Sequence, residues 1–176
     1  MTDHKWKKVS EEVYYAPEKL VAVTQENVSF LKKVAQANKR RRSRLCAHND
    51  TGDLTQEMII VLGKGNYVRP HKHLDKSESF HVIEGSAKLI FFDEKGNFTH
   101  AVSLGDHSSG KVFFNRIADA SYHSLMVTSD FFVFHETTKG PFIQGNRTDT
   151  VFASWAPQDN DEAAAQAFMD KLKEKI

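Results

Sequence analysis

GNYVRPHKHLDKSESFHVIEG, residues 65–85, sets His71, His73 and His81 together with Asp75, Glu78 and Glu84 between two glycines. Alternate residues of a strand share a face, so His71 and His73 point the same way, with Tyr67 and Arg69 beside them and Lys72 opposed. Leu74-Asp75-Lys76-Ser77 is polar enough to turn the chain back. That return predicts a neighbouring antiparallel strand with Glu78 next to the two imidazoles. Two imidazoles and a carboxylate converging on one point form a metal-binding constellation. Gly65 and Gly85 then read as turn residues at the far ends of the hairpin. His81 follows Glu78 by three residues, faces the other side, and is excluded as a ligand. His100 and His107 fall near strand ends or turns and are expected in solvent.

The chain around this stretch is 176 residues long, enough for one domain with a real core and short for two. Its 24 Lys and Arg oppose 23 Asp and Glu, for a net charge of +1, which gives no reason to expect nucleic acid or a membrane as partner. The single cysteine, Cys46, rules out an intrachain disulfide. MTDHKWKKVSEEVYY has no apolar segment of the kind that directs secretion, and no apolar run approaches a membrane span. These features together lead us to expect a cytoplasmic protein. Thirteen phenylalanines favour a β-rich core, because aromatic rings suit a half-buried pleated surface.

From about residue 57 to 154 short apolar runs alternate with turn signals. Expected strands are 57–62, 67–72, 79–83, 88–92, 100–104, 112–117, 123–127 and 131–136. Gly63-Lys64-Gly65, Glu84-Gly85, Glu94-Lys95-Gly96-Asn97, Gly105-Asp106, Ser129-Asp130 and Gly140-Pro141 punctuate them. Eight short strands at this spacing predict an antiparallel sandwich or barrel. Before it, Thr24 caps a helix with Val28, Leu31, Val34 and Ala35 on one face, followed by the basic run Lys39-Arg40-Arg41-Arg42. After it, residues 160–176 read as an exposed helix capped by Asp159 or Asn160. The expected organisation is an arm over 1–50 with one helix and the basic segment, a β domain over 51–157, and a C-terminal helix over 158–176.

The spacing Gly65, five residues, His71-x-His73, four residues, Glu78, six residues, Gly85 resembles the first cupin motif without a mismatch. Gly105-Asp106 resembles the opening of the second cupin motif. Ala118-Asp119-Ala120-Ser121-Tyr122-His123 resembles its Pro-x-Gly-x-x-His close, with alanines for Pro and Gly and with Val127 where an Asn often follows. The resemblance implies four metal ligands, His71, His73, Glu78 and His123. RLCAHND, YVRPHKHLDKSESFHVIEG, FHETTKGPF and DTVFASWAP further resemble the WbuC-type cupin-fold metalloproteins, over most of residues 12–157. That family is associated with surface-polysaccharide gene clusters. It implies a mainly β fold, a jelly-roll sandwich or barrel, here with an N-terminal helical arm and a C-terminal helix. It implies a bound metal but specifies no reaction.

Four protein ligands on a six-coordinate ion leave about two positions for water or substrate. The mixed nitrogen and oxygen donors suit one divalent ion of Fe, Mn, Ni or Zn. Such a site can polarise a carbonyl for isomerisation or epimerisation, activate water, or as iron support oxygenase chemistry. The strands 122–127 and 131–136 are expected to form a hairpin about Ser129-Asp130. A two-residue turn places Glu136 opposite His123, and a longer one His135, so one of the two reaches the metal's rim as an acid/base group. Tyr67, on the ligand face, is a further catalytic candidate. In the run from Arg41 to His48, strand parity puts Arg42, Arg44, Cys46 and His48 on one side. With Arg69, Arg42 and Arg44 then form a clamp for a small anionic ligand. A metal-dependent enzyme acting on a small polar or anionic, sugar-derived molecule is one reading; a metal-containing binding or sensing module without turnover is the other. Leu20-Ala22-Val23 is apolar enough to pair with a sheet edge, which predicts a homodimer.

Overall fold

The computed structural model describes residues 6–142 and 150–176. In chain order its elements are β1 (Lys7–Lys8), β2 (Val13–Tyr15), α1 (Gln25–Ala37), β3 (Arg42–Cys46), β4 (Thr55–Gly63), β5 (His71–Lys72), β6 (Glu78–Glu84) and β7 (Ser86–Phe92). They continue as β8 (Phe98–Gly105), β9 (Phe114–Ile117), β10 (Tyr122–Val127), β11 (Phe131–Lys139), β12 (Val151–Phe152) and α2 (Glu162–Lys173). Among the described residues the strands form two sheets, one in the order β1-β2-β3-β4-β11-β6-β9 and one in the order β12-β5-β10-β7-β8. Neighbours pair antiparallel except β2 with β3, which run parallel.

The sheets face each other across a core of Leu62, Phe80, Val82, Leu89, Leu125, Phe132 and Phe134. The outer face of the first sheet is covered as well. Helix α1 lays Val28, Leu31 and Ala35 on Leu45, Val61 and Val133. Strands buried on both faces need no polar alternation, which explains the unbroken runs Met58–Leu62 and Phe131–Phe134. Thr24 starts α1 as expected. Its hydroxyl accepts from the Asn27 amide while the Asn27 side chain accepts from the Thr24 amide at 2.7 Å.

The C-terminal helix differs from expectation. It starts at Glu162, capped by Asp161, whose carboxylate accepts from the Ala164 amide at 3.0 Å. It is not free in solvent: Ala165, Met169 and Leu172 pack on Ile90, Phe92, Tyr122 and Met126 behind the second sheet. Its apolar residues recur at i, i+4 and i+7, the period of a helix with one buried face. No helix among the described residues is long and apolar enough to cross a membrane.

The two hairpins expected from the sequence are not present. β5 pairs with β10 and β12, whereas β6 pairs with β11 and β9, so residues 73–77 cross from one sheet to the other. Pro70 lacks a ladder donor and β5 is only two residues long, so the segment 66–70 has no strand parity to transmit. Asp75, at φ 58°, makes the reversal. Likewise β10 belongs to the second sheet and β11 to the first, and residues 128–130 cross between them. Gly85 performs the crossing from β6 to β7 at φ 81°, and a Cβ there would meet the Phe131 carbonyl oxygen at 2.1 Å. Gly85→Ala therefore combines a strained backbone with a backbone clash, and is expected to cost about 3 kcal/mol or more in urea unfolding. A loss below about 0.5 kcal/mol, the scale of an ordinary surface change, would contradict this reading of the crossing.

Candidate metal centre

The four expected donors meet because the two sheets bring them from opposite sides. His71 and His123 are directly paired across β5 and β10 in the second sheet, and their rings lie 4.6 Å apart. His73, just beyond β5, brings its ring within 5.0 Å of His71 and 5.7 Å of His123. Glu78 opens β6 in the first sheet and reaches across the sandwich. Its Oε1 lies 2.6 Å from His123 Nε2 and its Oε2 3.2 Å from His73 Nε2. One ligand atom from each of the four falls within 4.8 Å of every other.

The hydrogen bonds around the rings fix which nitrogen faces inward. His71 Nδ1 lies 2.8 Å from the Arg69 carbonyl and His123 Nδ1 2.9 Å from the Ser121 carbonyl. A carbonyl only accepts, so each Nδ1 carries the proton and each Nε2 presents a lone pair to the centre. His73 Nδ1 lies 3.2 Å from the Thr150 hydroxyl. Glu78 Oε1 and His123 Nε2 are buried and, despite their proximity, neither has a well-oriented hydrogen-bond partner. Two converging acceptors without a proton between them are what a cation satisfies. The donor set thus fits a divalent metal, and His71, His73, Glu78 and His123 would hold it.

The local electrostatics agree. Burial, reinforced by the neighbouring His123, depresses the His71 imidazole to about 3, so it stays neutral and available as a ligand. Burial alone would raise the Glu78 carboxyl, but in the metal-free protein His123 and His73, when protonated, donate to it and outweigh burial, holding Glu78 well below the usual carboxylate range; a bound cation takes over that role.

The centre opens into a cavity of about 690 Å³. Glu136 lies on this cavity, directly across from Phe80 on β6 and Met58 on β4. Burial, with the Glu78 charge adding to it, pushes its carboxyl from 4.5 up to about 8. His135 takes the opposite face of β11, where its Nε2 lies 3.6 Å from Glu57, and it does not reach the site. Of the two residues expected at the metal's rim, the structure places Glu136 on the cavity, through its position on the inner face of the first sheet rather than through a hairpin with β10. Tyr67 is also absent from the cavity. Its hydroxyl donates to the Pro157 carbonyl at 3.0 Å and its ring lies against Phe168 of α2, because the parity assumed through residues 67–73 fails before β5.

The arginines follow the predicted parity but not equally. Arg42, Arg44, Cys46 and His48 all line the cavity, while Leu45 packs under α1. Arg42 is held by Glu12, Nε to Oε2 at 2.7 Å, and Arg40 by Asp159 at 2.9 Å. Arg69 donates to the Ala153 carbonyl and to Gln158. Glu12, Thr150 and the carbonyls of Arg69 and Ser121 carry no recognisable motif in the sequence. Only folding brings them to the site. Of the segment DTVFASWAP, Asp149 lies outside the described residues.

A family described as a domain of unknown function (DUF6016) matches residues 23–104, which include His71, His73 and Glu78 but not His123. No curated protein matches the chain. Among solved structures, the chain is similar to the capsular polysaccharide assembling protein CapF from Staphylococcus aureus. The identity is 19% and the TM-score 0.51, covering 66% of this chain and 32% of that one. It is also similar to protein SO0799 from Shewanella oneidensis, at 16% identity and TM-score 0.46 over 60% of this chain and 66% of the other. Oxalate decarboxylase from Bacillus subtilis matches at 18% identity and TM-score 0.47 over 63% of this chain and 27% of the other. The chain therefore spans between about a quarter and two thirds of these proteins' lengths. At such identities the likeness is one of fold. The fold is that of the cupins, and its clustered His71, His73, Glu78 and His123 could bind a metal.

Two outcomes follow from this geometry. The His71→Ala/His73→Ala double variant removes two of four donors but little of the apolar core, so it should fold with a near-native circular dichroism spectrum and retain almost no metal by elemental analysis. Full occupancy would contradict the assignment. In the metal-free protein, folded Glu136 keeps its proton above pH 4.5, where the unfolded chain has released it. Its stabilising contribution is therefore complete below pH 4.5 and declines until the folded carboxyl ionises near 8. Glu136→Gln abolishes that slope, so its melting temperature should gain on wild type steadily as the pH is raised through this window. A constant difference across the window would contradict the burial of Glu136.

Proposed function

We propose that this chain is a metal-dependent enzyme acting on a small, polar, oxygen-rich molecule. The observation that carries the proposal is the company the donors keep: they open on a cavity in which Glu136, itself no ligand, stands on the inner face of β11 as a half-buried carboxyl, pushed up to about 8 in the metal-free protein. A carboxyl near neutrality can give and take a proton under ordinary conditions. The cavity floor between strands is apolar, with Ile60, Phe80 and Phe134 on it, so it limits water around the transferred proton.

A divalent ion at these donors, Fe, Mn, Ni or Zn, would polarise a substrate oxygen and favour ionisation beside it. Glu136 is then the acid/base group that moves the proton, and its place on a central strand fixes its position. The histidine rings are held by backbone carbonyls, which keeps the donor set in place through a catalytic cycle. This role suits an isomerase or epimerase. The resemblance of the motif segments to the WbuC-type proteins supports membership of that group and a sugar-derived substrate from surface-polysaccharide metabolism.

The test is metabolite profiling. Protein purified without added metal is assayed for metal and incubated with a bacterial small-molecule extract, beside Glu136→Gln of equal metal content. The proposal expects at least one metabolite to be converted by wild type and to be spared, by about a hundredfold in rate, by the variant. A metabolite that is bound but never converted would overturn the enzymatic reading in favour of a binding or sensing module.

A further inference from the structure

Four arginines line the cavity, but their partners separate them, and Arg40 is held by Asp159. The Arg42 charge is matched by Glu12. Arg69 is braced by Gln158, the Ala153 carbonyl and the ring of Phe152, 5.2 Å away. Arg44, on the same inward face, is exposed at the cavity mouth, and among the described residues its guanidinium has neither a hydrogen bond nor an ion pair. Its field reaches Glu136 and Cys46 inside the cavity.

Strand register places it relative to the metal donors. Arg44 is opposite Ile60, and Ile60 is opposite Phe134, two positions before Glu136. From β3 to β6, which carries Glu78, is three strand spacings, roughly 14 Å between backbones. Arg44 is level with Ile60 and Phe134 while Glu78 is level with Thr138, so Met58 and Glu136 lie on the diagonal between the free cation and the donors. The arrangement asks for an elongated ligand: an anion at one end, oxygens at the other, and a carbon chain between them.

The charge must be single. One planar guanidinium offers one bidentate fork, which suits a carboxylate. A phosphate dianion seeks more donors than are left free, because Arg40, Arg42 and Arg69 are already engaged by Asp159, Glu12 and Gln158 respectively. Lys76 also lines the cavity, but it lies in the crossing segment between His73 and Glu78, at the metal end.

We infer that the cavity takes a hydroxymonocarboxylate of sugar-acid size, with its carboxylate on Arg44 and its far oxygens towards the His71, His73, Glu78 and His123 centre. This rests on reading the cavity as a small-molecule site, and it adds the substrate class. Arg44 is the specificity-determining residue; Arg42 and Arg69 shape the wall.

The test is calorimetric titration of the metal-loaded protein with gluconate, glucuronate, glucose and glucose 6-phosphate, with metal content measured in the same samples. Gluconate or glucuronate should bind at millimolar concentration or better, and glucose and glucose 6-phosphate at least about tenfold more weakly. Arg44→Ala should lose about tenfold or more of the carboxylate affinity with metal unchanged, Arg44→Lys should recover part of it, and Lys76→Ala should retain most of it. Binding of neither carboxylate, binding indifferent to Arg44, a stronger dependence on Lys76, or preference for the phosphate would each overturn the inference. A protein that holds no metal at all would fail the metal-centre reading instead. Arg44-dependent binding without turnover would fail only the enzymatic one.

Discussion

Glu78 is a carboxylate placed between two sheets, 4% exposed, with imidazole nitrogens on the facing sheet as its neighbours. A buried charge of this kind is tolerated only if opposite charge or hydrogen bonds meet it. Here the neighbouring side chains do not complete the task, since Glu78 Oε1 and His123 Nε2 are both left without a partner. The architecture around them is arranged so that this unsatisfied pair stays where it is. His71 and His123 are locked in register on adjacent strands, their outer nitrogens tied to carbonyls, and Glu78 enters from the other sheet at the end of a crossing segment. A divalent cation would resolve the conflict, and its binding would then be coupled to the stability of the sandwich.

The same layering explains how a cavity lined by ionisable side chains coexists with a rigid scaffold. Both sheets are backed, the first by α1 and the second by α2, and each helix contributes a stripe of fully buried side chains. The inner faces are therefore free to exchange apolar residues for polar ones at one end. On β11 the inward positions run Phe132, Phe134, Glu136 and Thr138, passing from packed core to polar cavity within a single strand. Glu136 acquires its raised proton affinity from this position at the boundary, where the apolar core ends and the Glu78 charge begins.

Much of this was legible in the sequence, and the failures have physical reasons. The His71-x-His73 and Glu78 pattern, framed by Gly65 and Gly85, pointed to the donors, and the distant His123 followed from the second motif. The strands read at 57–62, 79–83 and 88–92 fall within the observed 55–63, 78–84 and 86–92, and period-2 reasoning found the common face of Arg42, Arg44 and Cys46. It failed where it was carried through Pro70 to Tyr67, because parity holds only along a continuous ladder. It also failed where sequence neighbours were assumed to pair. Short connections such as 73–77 and 128–130 suggest hairpins, yet here they cross the sandwich, and nothing local distinguishes the two outcomes. The orienting carbonyls of Arg69 and Ser121 and the pairing of Arg42 with Glu12, 30 residues away, belong to the tertiary structure alone.

The central claim is that one cation joins the two sheets at four named side chains. Crystals of the protein grown with manganese, with data collected to exploit its anomalous scattering, address this directly. The account predicts a single strong anomalous peak among Nε2 of His71, His73 and His123 and the Glu78 carboxylate, at about 2.1 Å from each. No peak at that position, with Glu78 and His123 instead joined by a well-formed hydrogen bond, would contradict it.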